Sequence, residues 1–472
     1  MSMAPLAEAW PADIEDAATT PTELTADTVE PSAKPSVTPS LFENASTYYD
    51  TGSKEFLRKN RRGVWLKLPS TDYKRVLRAC GFSTKPQPGE LLSAADHEIL
   101  ETQDKHDVAY AGPLAGYAEG FYEFGNHRVL VTNSPRLIEP IVGRWPILEQ
   151  LLSNLFLVGA GVEQLLVFYG WIKVGFESLR AGERRPGQAL VMAGPHNCGK
   201  SLLQNLLTEI FGGRFAKPYR YMTGQSAFNG DLFAAEHLTI EDEQPSIDLR
   251  ARRNFGCQIK NFTVNEGQSC HAKYRDAVSL TPFWRVSISL NDEPENLLVL
   301  PPLDDSVQDK MIILQVGKHP MPMPTATLEQ RKLFWGTLLG ELPAFLYFLT
   351  QWRIPAGLSC PRFGVKHYHH PTLLEAMGSL APEVRLLELI DAELFGFSEQ
   401  TPWEGTALEL QRLLTGSDCA MNHEARKLFY YNSACGTYMA RLRRDHGERV
   451  SSRNTKTGTI WKIQPPDSGV TG

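Results

Sequence analysis

The sequence predicts an α/β protein in which a glycine-rich loop joins a buried strand to a helix. Three observations carry this prediction. Residues 194–201 read GPHNCGKS, which is the complete Gly-x4-Gly-Lys-Ser pattern. The preceding residues 188–193 (QALVMA) are short, apolar and β-prone. The following residues 202–211 (LLQNLLTEIF) place apolar side chains at helical spacing and stop at a Gly-Gly pair.

This loop is the expected binding site for ATP. Its glycines let backbone N–H groups approach a polyphosphate, and the helix N-terminus adds partial positive charge. Lys200 is expected to reach the β- and γ-phosphates, and Ser201 to place its hydroxyl on Mg²⁺. The alternative is a strand-to-helix turn in an unrelated α/β domain, which leaves the lysine unexplained. The residues assigned to ATP are Gly194, Pro195, His196, Asn197, Cys198, Gly199, Lys200 and Ser201.

Composition sets the class of protein. The chain has 472 residues, with 42% hydrophobic and 22% charged side chains, which is typical of a soluble protein of several domains. We expect no membrane span and no secretory signal, and therefore a cytoplasmic protein. Seven scattered cysteines without a Cys-x2-Cys pair predict a reducing compartment and no structural zinc. The Cys and His residues between 360 and 370 fit no standard metal-site spacing.

Charge and periodicity divide the chain. Residues 1–40 contain seven acids and one base, a net charge of −6, whereas residues 421–462 contain nine bases and three acids, a net charge of +6. The first part is expected to be a disordered acidic tail, and the second suits nucleic acid. We expect a tail at 1–42, a mixed α/β domain at 43–140, a helical segment at 141–186, an ATPase core at 187–320, a second helical segment at 321–400 and a winged helix at 401–466.

Two further strands are expected to complete the ATP site. Residues 237–243 (HLTIEDE) form an apolar strand that ends in three carboxylates. We assign Asp242 to Mg²⁺ and Glu241 to the attacking water, although the two roles are exchangeable and Glu243 is a third candidate. The alternative is an exposed acidic loop. The strand at 284–290 ends at Asn291, which is expected to contact the γ-phosphate or its water. Parallel strands would bring Lys200, Asp242 and Asn291 to one edge of the sheet.

Two segments are expected to bind nucleic acid. Residues 259–275 predict strand, glycine turn and strand, with His271, Lys273 and Arg275 on one face, where they can contact the phosphates of a single strand. A solvent-facing strand edge is the alternative. Helices at 404–416, 423–430 and 431–444, followed by a hairpin up to residue 463, predict the winged helix. Its candidate DNA contacts are Tyr438, Arg441, Arg443, Arg444, Arg453 and Lys456, and the alternative is a winged helix that binds protein.

In their order, the phosphate loop, the strand ending at Asp242, the basic hairpin and the strand ending at Asn291 resemble superfamily 3 helicases. These are AAA+-type ATPases of viruses, phages and plasmids, and the phage and plasmid primase-helicases are the most similar. The resemblance covers roughly 145–320 and extends more loosely to the C-terminus, where such proteins often carry a winged helix. It implies Walker A at Gly194, Gly199, Lys200 and Ser201 and Walker B at Glu241 and Asp242. It further implies a sensor at Asn291, a channel hairpin at His271 and Lys273, and a hexameric ring on single-stranded DNA.

Two departures qualify the resemblance. Lys310 stands where the family places an arginine that reaches the neighbouring subunit's ATP, and Arg252 or Arg253 could serve instead. No primase motif is found in 43–140, so a separate primase is a possible partner. The sequence thus favours an ATP-dependent DNA helicase or translocase that acts with Mg²⁺ on single-stranded or forked DNA in replication of a phage, virus or mobile element. The alternatives are a P-loop ATPase without unwinding activity in remodelling or defence, and an ATP-gated DNA-binding scaffold.

Overall fold

The structure, a computed structural model, describes residues 47–157, 162–241, 249–273, 277–301, 303–379, 382–395, 401–419, 421–429, 432–456 and 458–466. The predicted acidic tail and the candidates Asp242, Glu243 and Arg275 lie outside these residues, as does the side chain of Arg253.

The N-terminal module combines two small sheets with two helices. One sheet has the order β3-β2-β1-β4, and the other has the order β5-β7-β6. The two helices pack on one face of the first sheet, where they bury Phe56, Tyr73 and Leu77. The elements are β1 (Thr47–Asp50), β2 (Glu55–Lys59), β3 (Trp65–Leu68), α1 (Ser70–Ala79), α2 (Ala94–Lys105), β4 (Asp107–Val108), β5 (Tyr110–Gly112), β6 (Gly120–Phe124) and β7 (His127–Val131).

The central module is a five-stranded parallel sheet with the order β14-β8-β13-β10-β9. The helix predicted after the phosphate loop and the strands predicted before it and at 284–290 are confirmed. The strand predicted at 237–243 is confirmed as far as Glu241, beyond which the described residues stop. The elements are α3 (Pro146–Phe156), α4 (Val162–Ala181), β8 (Ala189–Ala193), α5 (Lys200–Ile210), β9 (Phe215–Ala216), α6 (Tyr219–Met222), β10 (His237–Glu241), α7 (Leu249–Val264), β11 (Gln268–Cys270), β12 (Val278–Leu280), β13 (Arg285–Leu290), α8 (Pro294–Leu297) and β14 (Met311–Gln315).

The predicted strand at 259–264 is wrong, because these residues form the last turns of α7. Phe255, Ile259 and Phe262 recur at helical spacing and are all buried, so burial of one helix face outweighs the β-propensity of Thr263 and Val264. The hairpin therefore begins later, at β11, and its second strand is β12.

The C-terminal part is helical and then mixed. The three-stranded sheet β17-β19-β18 is antiparallel, and the hairpin predicted near 449–463 is confirmed as its last two strands. The first predicted helix begins three residues late, because Thr406 caps it after a short strand. The elements are α9 (Leu328–Gln351), β15 (Ser359–Cys360), β16 (Gly364–Val365), α10 (Pro371–Ser379), α11 (Pro382–Leu394), β17 (Trp403–Thr406), α12 (Ala407–Thr415), α13 (Asn422–Leu428), α14 (Ala434–Asp445), β18 (Val450–Thr455) and β19 (Gly458–Ile463).

Alternate residues of the buried parallel strands feed two hydrophobic cores. Leu190 and Met192 of β8 face a core that α3, α4 and α9 complete. Val191 faces a second core, to which Leu114 and Val129 of the N-terminal module contribute. Among the described helices, α9 is long and apolar enough to cross a membrane, but its buried residues pack into the first core.

A buried ion pair also joins the N-terminal module to the sheet. Glu236, just before β10, is fully buried and pairs with Arg214. The same carboxylate accepts a hydrogen bond from the backbone N–H of Gly116 at 2.8 Å. Arg214 donates further bonds to the carbonyl oxygens of Asn133 and Leu114, at 3.1 and 3.3 Å. The guanidinium therefore satisfies both the buried acid and the backbone of the neighbouring module.

We predict that Arg214→Met lowers the free energy of unfolding by about 3–5 kcal/mol, because it leaves a buried carboxylate without its cation. Urea unfolding followed by circular dichroism measures this loss. Lys105→Ala is the control, because Lys105 and Glu101 form an exposed pair on α2, whose removal should leave the unfolding midpoint nearly unchanged. Equal unfolding midpoints for the two variants would show that the buried pair does not hold the modules together.

Candidate functional site

The phosphate loop depends on close backbone approach at its start and on a left-handed residue at its end. A side chain at Gly194 would overlap the carbonyl oxygen of Val316, the residue after β14. Gly199 has a φ of +108° and Asn197 a φ of +59°, a region that L-residues with larger side chains avoid. This geometry explains why glycine stands at both ends of the loop.

Lys200 and Asn291 meet at this loop. The lysine is 7% exposed, and its Nζ donates to the carbonyl oxygens of Gly194 at 2.7 Å and Pro195 at 2.9 Å. It also donates to Oδ1 of Asn291 at 3.2 Å. The contact arises because β13 lies beside β8, so the residue after β13 ends next to the loop. The arrangement places a cation and a neutral amide side by side at the carboxyl edge of the sheet.

The remaining loop residues differ in their exposure. Cys198 is 1% exposed and packs into the first core, so a role in phosphate binding rests on its backbone N–H. His196, Asn197 and Ser201 are exposed. Glu241, at the end of β10, is partly exposed and lies 3.8 Å from Nζ of Lys217.

No group of three or more His, Cys, Asp or Glu side chains that could hold a metal is found in the described residues. The Mg²⁺ ligands expected at this site are Ser201 and Asp242. The first is placed at the loop, and the second follows Glu241 outside the described residues. A hydroxyl and a carboxylate are ligands that suit this hard cation.

A closed ring of hydrogen bonds fastens α5 to the two strands behind the site. Nε2 of Gln204 donates to Oγ of Ser287 at 2.9 Å and to the carbonyl oxygens of Ile240 and Ser287, both at 3.3 Å. Oγ of Ser287 meets Nε2 of His237 at 2.8 Å, and Nδ1 of His237 meets Oγ1 of Thr208 at 2.7 Å. Thr208 closes the ring by donating to the carbonyl oxygen of Gln204 at 3.1 Å.

The ring requires a neutral His237. Because the Thr208 hydroxyl donates to Gln204, Nδ1 of His237 carries the proton and Nε2 accepts from Ser287. The imidazole is fully buried, and burial lowers its pKa from 6.5 to about 3. This ring could not be predicted from the sequence, since its four side chains are spread over residues 204–287 and meet through sheet topology.

The β11–β12 hairpin carries His271 and Lys273 in its connection, not along a strand face as predicted. Both side chains are exposed. The buried Asn229 fixes the connection, because its Oδ1 accepts from the backbone N–H of His271 at 2.7 Å and its Nδ2 donates to the carbonyl oxygen of Ser269 at 2.9 Å. The ring of Phe228, 44% exposed, lies 5.3 Å from that of His271. Asn229-Gly230 is a turn signal that could have revealed this contact.

Lys310, the first candidate for a trans-acting residue, lies away from the loop. Lys310 precedes β14 and is therefore at the amino edge of the sheet, opposite the phosphate loop. It is mostly buried, and its Nζ pairs with Asp309 at 2.6 Å. Arg252 donates to the carbonyl oxygen of Leu300 at 3.0 Å. Lys310 therefore does not reach the nucleotide site of its own chain.

The C-terminal arginines differ in their exposure and in their partners. Arg441 pairs with Glu383 of α11 at 3.1 Å and is half-buried. Arg443 is exposed and donates to Oγ of Ser452 at 2.7 Å, while Arg444 is exposed and pairs with Asp445. Tyr438 is wrong as a groove contact, because it is 1% exposed in the core of this domain. Arg443 and Arg444 are thus the exposed candidates on α14, and on the hairpin Arg453, which pairs with Glu404, and Lys456 are exposed as well.

Comparison with known proteins shows a likeness in fold. The structure described as "The A form apo structure of NrS-1 C terminal region-CTR" has a TM-score of 0.50 at 13% identity, covering 89% of this chain and 96% of that chain. "SCCmec type IV Cch - active helicase" has a TM-score of 0.29 at 10% identity, covering 86% of this chain and 73% of that chain. "The X-ray structure of JCV Helicase" has a TM-score of 0.21 at 15% identity, covering 53% of this chain and 71% of that chain. No family model and no curated protein sequence matches the chain. The likeness to the NrS-1 region shows a shared mixed α/β fold.

The buried His237 predicts a pH dependence of stability. The unfolded chain takes up a proton below pH 6.5, and the folded chain does so near pH 3. The stability that neutral His237 contributes is therefore full above pH 6.5 and is lost as the pH falls towards 3. We predict that the free energy of unfolding is about 2 kcal/mol lower at pH 5 than at pH 7 from this residue alone.

Urea unfolding at both pH values measures this contribution as the difference between the wild type and His237→Gln. The control is His127→Gln, because His127 is exposed and should keep the wild-type pH dependence. If His237→Gln lost as much stability between pH 7 and pH 5 as the wild type does, the neutral imidazole would not be the cause.

Proposed function

We propose that the protein is an ATP-dependent nucleic-acid translocase or helicase of the superfamily 3 type, acting in replication of a phage, virus or mobile element. The observation that carries the proposal is the meeting of Lys200 with Asn291 at the carboxyl edge of a parallel sheet. A cation on a phosphate loop and an amide from the neighbouring strand suit binding and sensing of a γ-phosphate. The exposed hairpin connection is the second supporting feature.

The residues divide the work of ATP hydrolysis. Lys200 holds the β- and γ-phosphates, and Asn291 orients the γ-phosphate or the water that attacks it. Glu241 polarises that water, while Ser201 and Asp242 hold Mg²⁺, which neutralises phosphate charge when bound. Because β13 lies between β8 and β10, Asn291 stands between the loop and the Glu241 strand end. A displacement of β13 would therefore affect the phosphate loop and the Glu241 strand end together.

The β11–β12 connection is proposed to hold a single strand. His271 and Lys273 offer a donor and a cation to phosphate, and the exposed Phe228 ring beside His271 offers a face to a base. The clamp at Asn229 links this connection to the chain between α6 and β10. In a hexameric ring such connections would line the channel, with Arg443 and Arg444 of the winged-helix-like domain on forked DNA.

An ATP-gated DNA-binding scaffold is the second candidate. It is favoured by the pairing of Lys310 with Asp309, whose carboxylate also lies 3.4 Å from Arg362. A lysine held in this way is a weak substitute for a bidentate arginine. Turnover would then be negligible although ATP still binds.

We predict that Lys200→Ala lowers ATP turnover by at least roughly 100-fold, because the charge that compensates the γ-phosphate is removed. Steady-state ATP hydrolysis is measured with and without single-stranded DNA. Lys332→Ala on α9, which removes an exposed lysine, is the control. Turnover in Lys200→Ala equal to that of the control would place hydrolysis at another site.

ATP binding by the wild type without turnover would favour the scaffold, and turnover without unwinding of forked DNA would favour a remodelling ATPase.

We predict that Gln204→Leu lowers kcat several-fold while KM changes little. Leucine keeps the volume but loses the bonds that set α5 against the ends of β10 and β13. Thr208→Val is the matched variant, because it opens the ring without freeing either strand and should lower stability more than kcat. Equal kcat in the wild type and Gln204→Leu, with lower stability in the variant, would show that Gln204 has a structural role alone.

A further inference from the structure

The N-terminal module carries a concentrated positive charge that the nucleotide site does not use. Residues 54–85 contain ten bases and two acids, a net charge of +8, although the whole chain has a net charge of −6. This exceeds the +6 of residues 421–462. A local field of this size attracts polyanions whatever the net charge of the chain.

The tip of the β2–β3 hairpin presents two of these charges. Oδ1 of Asn60 accepts from the backbone N–H groups of Arg62 at 2.8 Å and Val64 at 3.0 Å. Gly63 takes a φ of +76°, which completes the tight turn. Arg61 and Arg62 are both exposed at this tip. The turn is thus held by backbone and asparagine contacts, and the arginine side chains are not needed to form it.

Three neighbouring basic residues are already paired with acids, whereas those of the tip are not. Lys59 pairs with Glu119, Lys74 with Asp96 and Arg75 with Asp72. Within the described part of the chain, Arg61, Arg62 and Lys67 have no acidic partner. We call these three residues the hairpin basic surface. Their charge is compensated by solvent ions, which a phosphate backbone can replace.

The hairpin basic surface adjoins the β11–β12 connection. Lys67 lines a cavity of about 200 Å³ together with Ala272, which stands between His271 and Lys273. Lys67 pairs with Leu57 across the hairpin, so the arginine tip lies roughly 13 Å away, in the turn that joins β2 to β3. A chain of phosphates leaving the connection therefore meets Lys67 first and the arginine tip next.

We propose that the hairpin basic surface binds the sugar–phosphate backbone of the single strand held at the β11–β12 connection. This inference rests on the proposed function, and it assigns a nucleic-acid contact to the N-terminal module. The occupant is a single strand because a flexible backbone can follow the path from His271 and Lys273 past Lys67 to the tip. The contacts are with phosphate and carry no base specificity.

The test compares Arg61→Ala/Arg62→Ala with the wild type in the full chain. Fluorescence anisotropy of labelled oligo-dT is measured without nucleotide at increasing KCl, and duplex DNA is the second probe. We expect the affinity for oligo-dT to fall roughly tenfold at low salt and the salt slope to fall by about 1.4, because each phosphate contact with a single strand contributes about 0.7. Arg331→Ala/Lys332→Ala, an adjacent exposed basic pair on α9, is the control and should bind as the wild type does.

The outcomes separate this inference from the proposed function. Unchanged binding of oligo-dT by folded Arg61→Ala/Arg62→Ala overturns it, and aggregation of that variant with unchanged binding would show that the arginines protect an edge strand instead. A loss confined to duplex DNA also overturns it. If His271→Ala/Lys273→Ala binds oligo-dT normally while the arginine variant does not, the proposed role of the connection fails and the hairpin contact stands. A change in ATP turnover by Arg61→Ala/Arg62→Ala does not alter these conclusions, because oligo-dT binding is measured without nucleotide.

Discussion

The ring that joins Gln204, Ser287, His237 and Thr208 is the interaction on which the rest of the central module depends. A polar side chain in a close-packed interior is costly unless its bonds are made, and here the four side chains bond one another across one helix and two strands. Within the described residues, Oε1 of Gln204 is the atom of the ring that is buried without a partner. The helix that begins at Lys200 is thereby held in a fixed position against β10 and β13. The geometry of the nucleotide site follows from this buried contact.

The same ring connects β13 to the phosphate loop. Ser287 belongs to the ring and lies on β13, four residues before Asn291. Movement of Asn291 towards or away from Lys200 therefore acts on the ring through a rigid strand of about 13 Å. From β10, His237 joins the ring and Ile240 accepts from Gln204, so Glu241 is subject to the same constraint. Nucleotide-dependent shifts in this protein would be shared between the strands.

The helices and strands around the loop could be predicted from the sequence, but the buried side-chain contacts between them could not. The phosphate loop, its strand and its helix are signalled by contiguous glycine and apolar patterns, and Lys200 and Asn291 follow from the rule for strand edges. The segment at 259–264 was misassigned because its last residues favour a strand, whereas Phe255 and Ile259 bury a helix face. His237 and Gln204 are ordinary residues in the sequence. Their role depends on the order of the strands in the sheet, which local periodicity of the sequence does not reveal.

Lys310 and the phosphate loop lie at opposite edges of the sheet in one chain. It precedes β14 at the amino edge of the sheet, while the loop is at the carboxyl edge of β8, and the two strands are parallel neighbours. A strand of five residues therefore separates Lys310 from its own loop, and side-chain motion cannot bridge this length. If Lys310 acts in hydrolysis, it acts on a neighbouring copy and must first leave Asp309. Under the proposed function, an oligomer that separates Lys310 from Asp309 would couple assembly to ATP turnover.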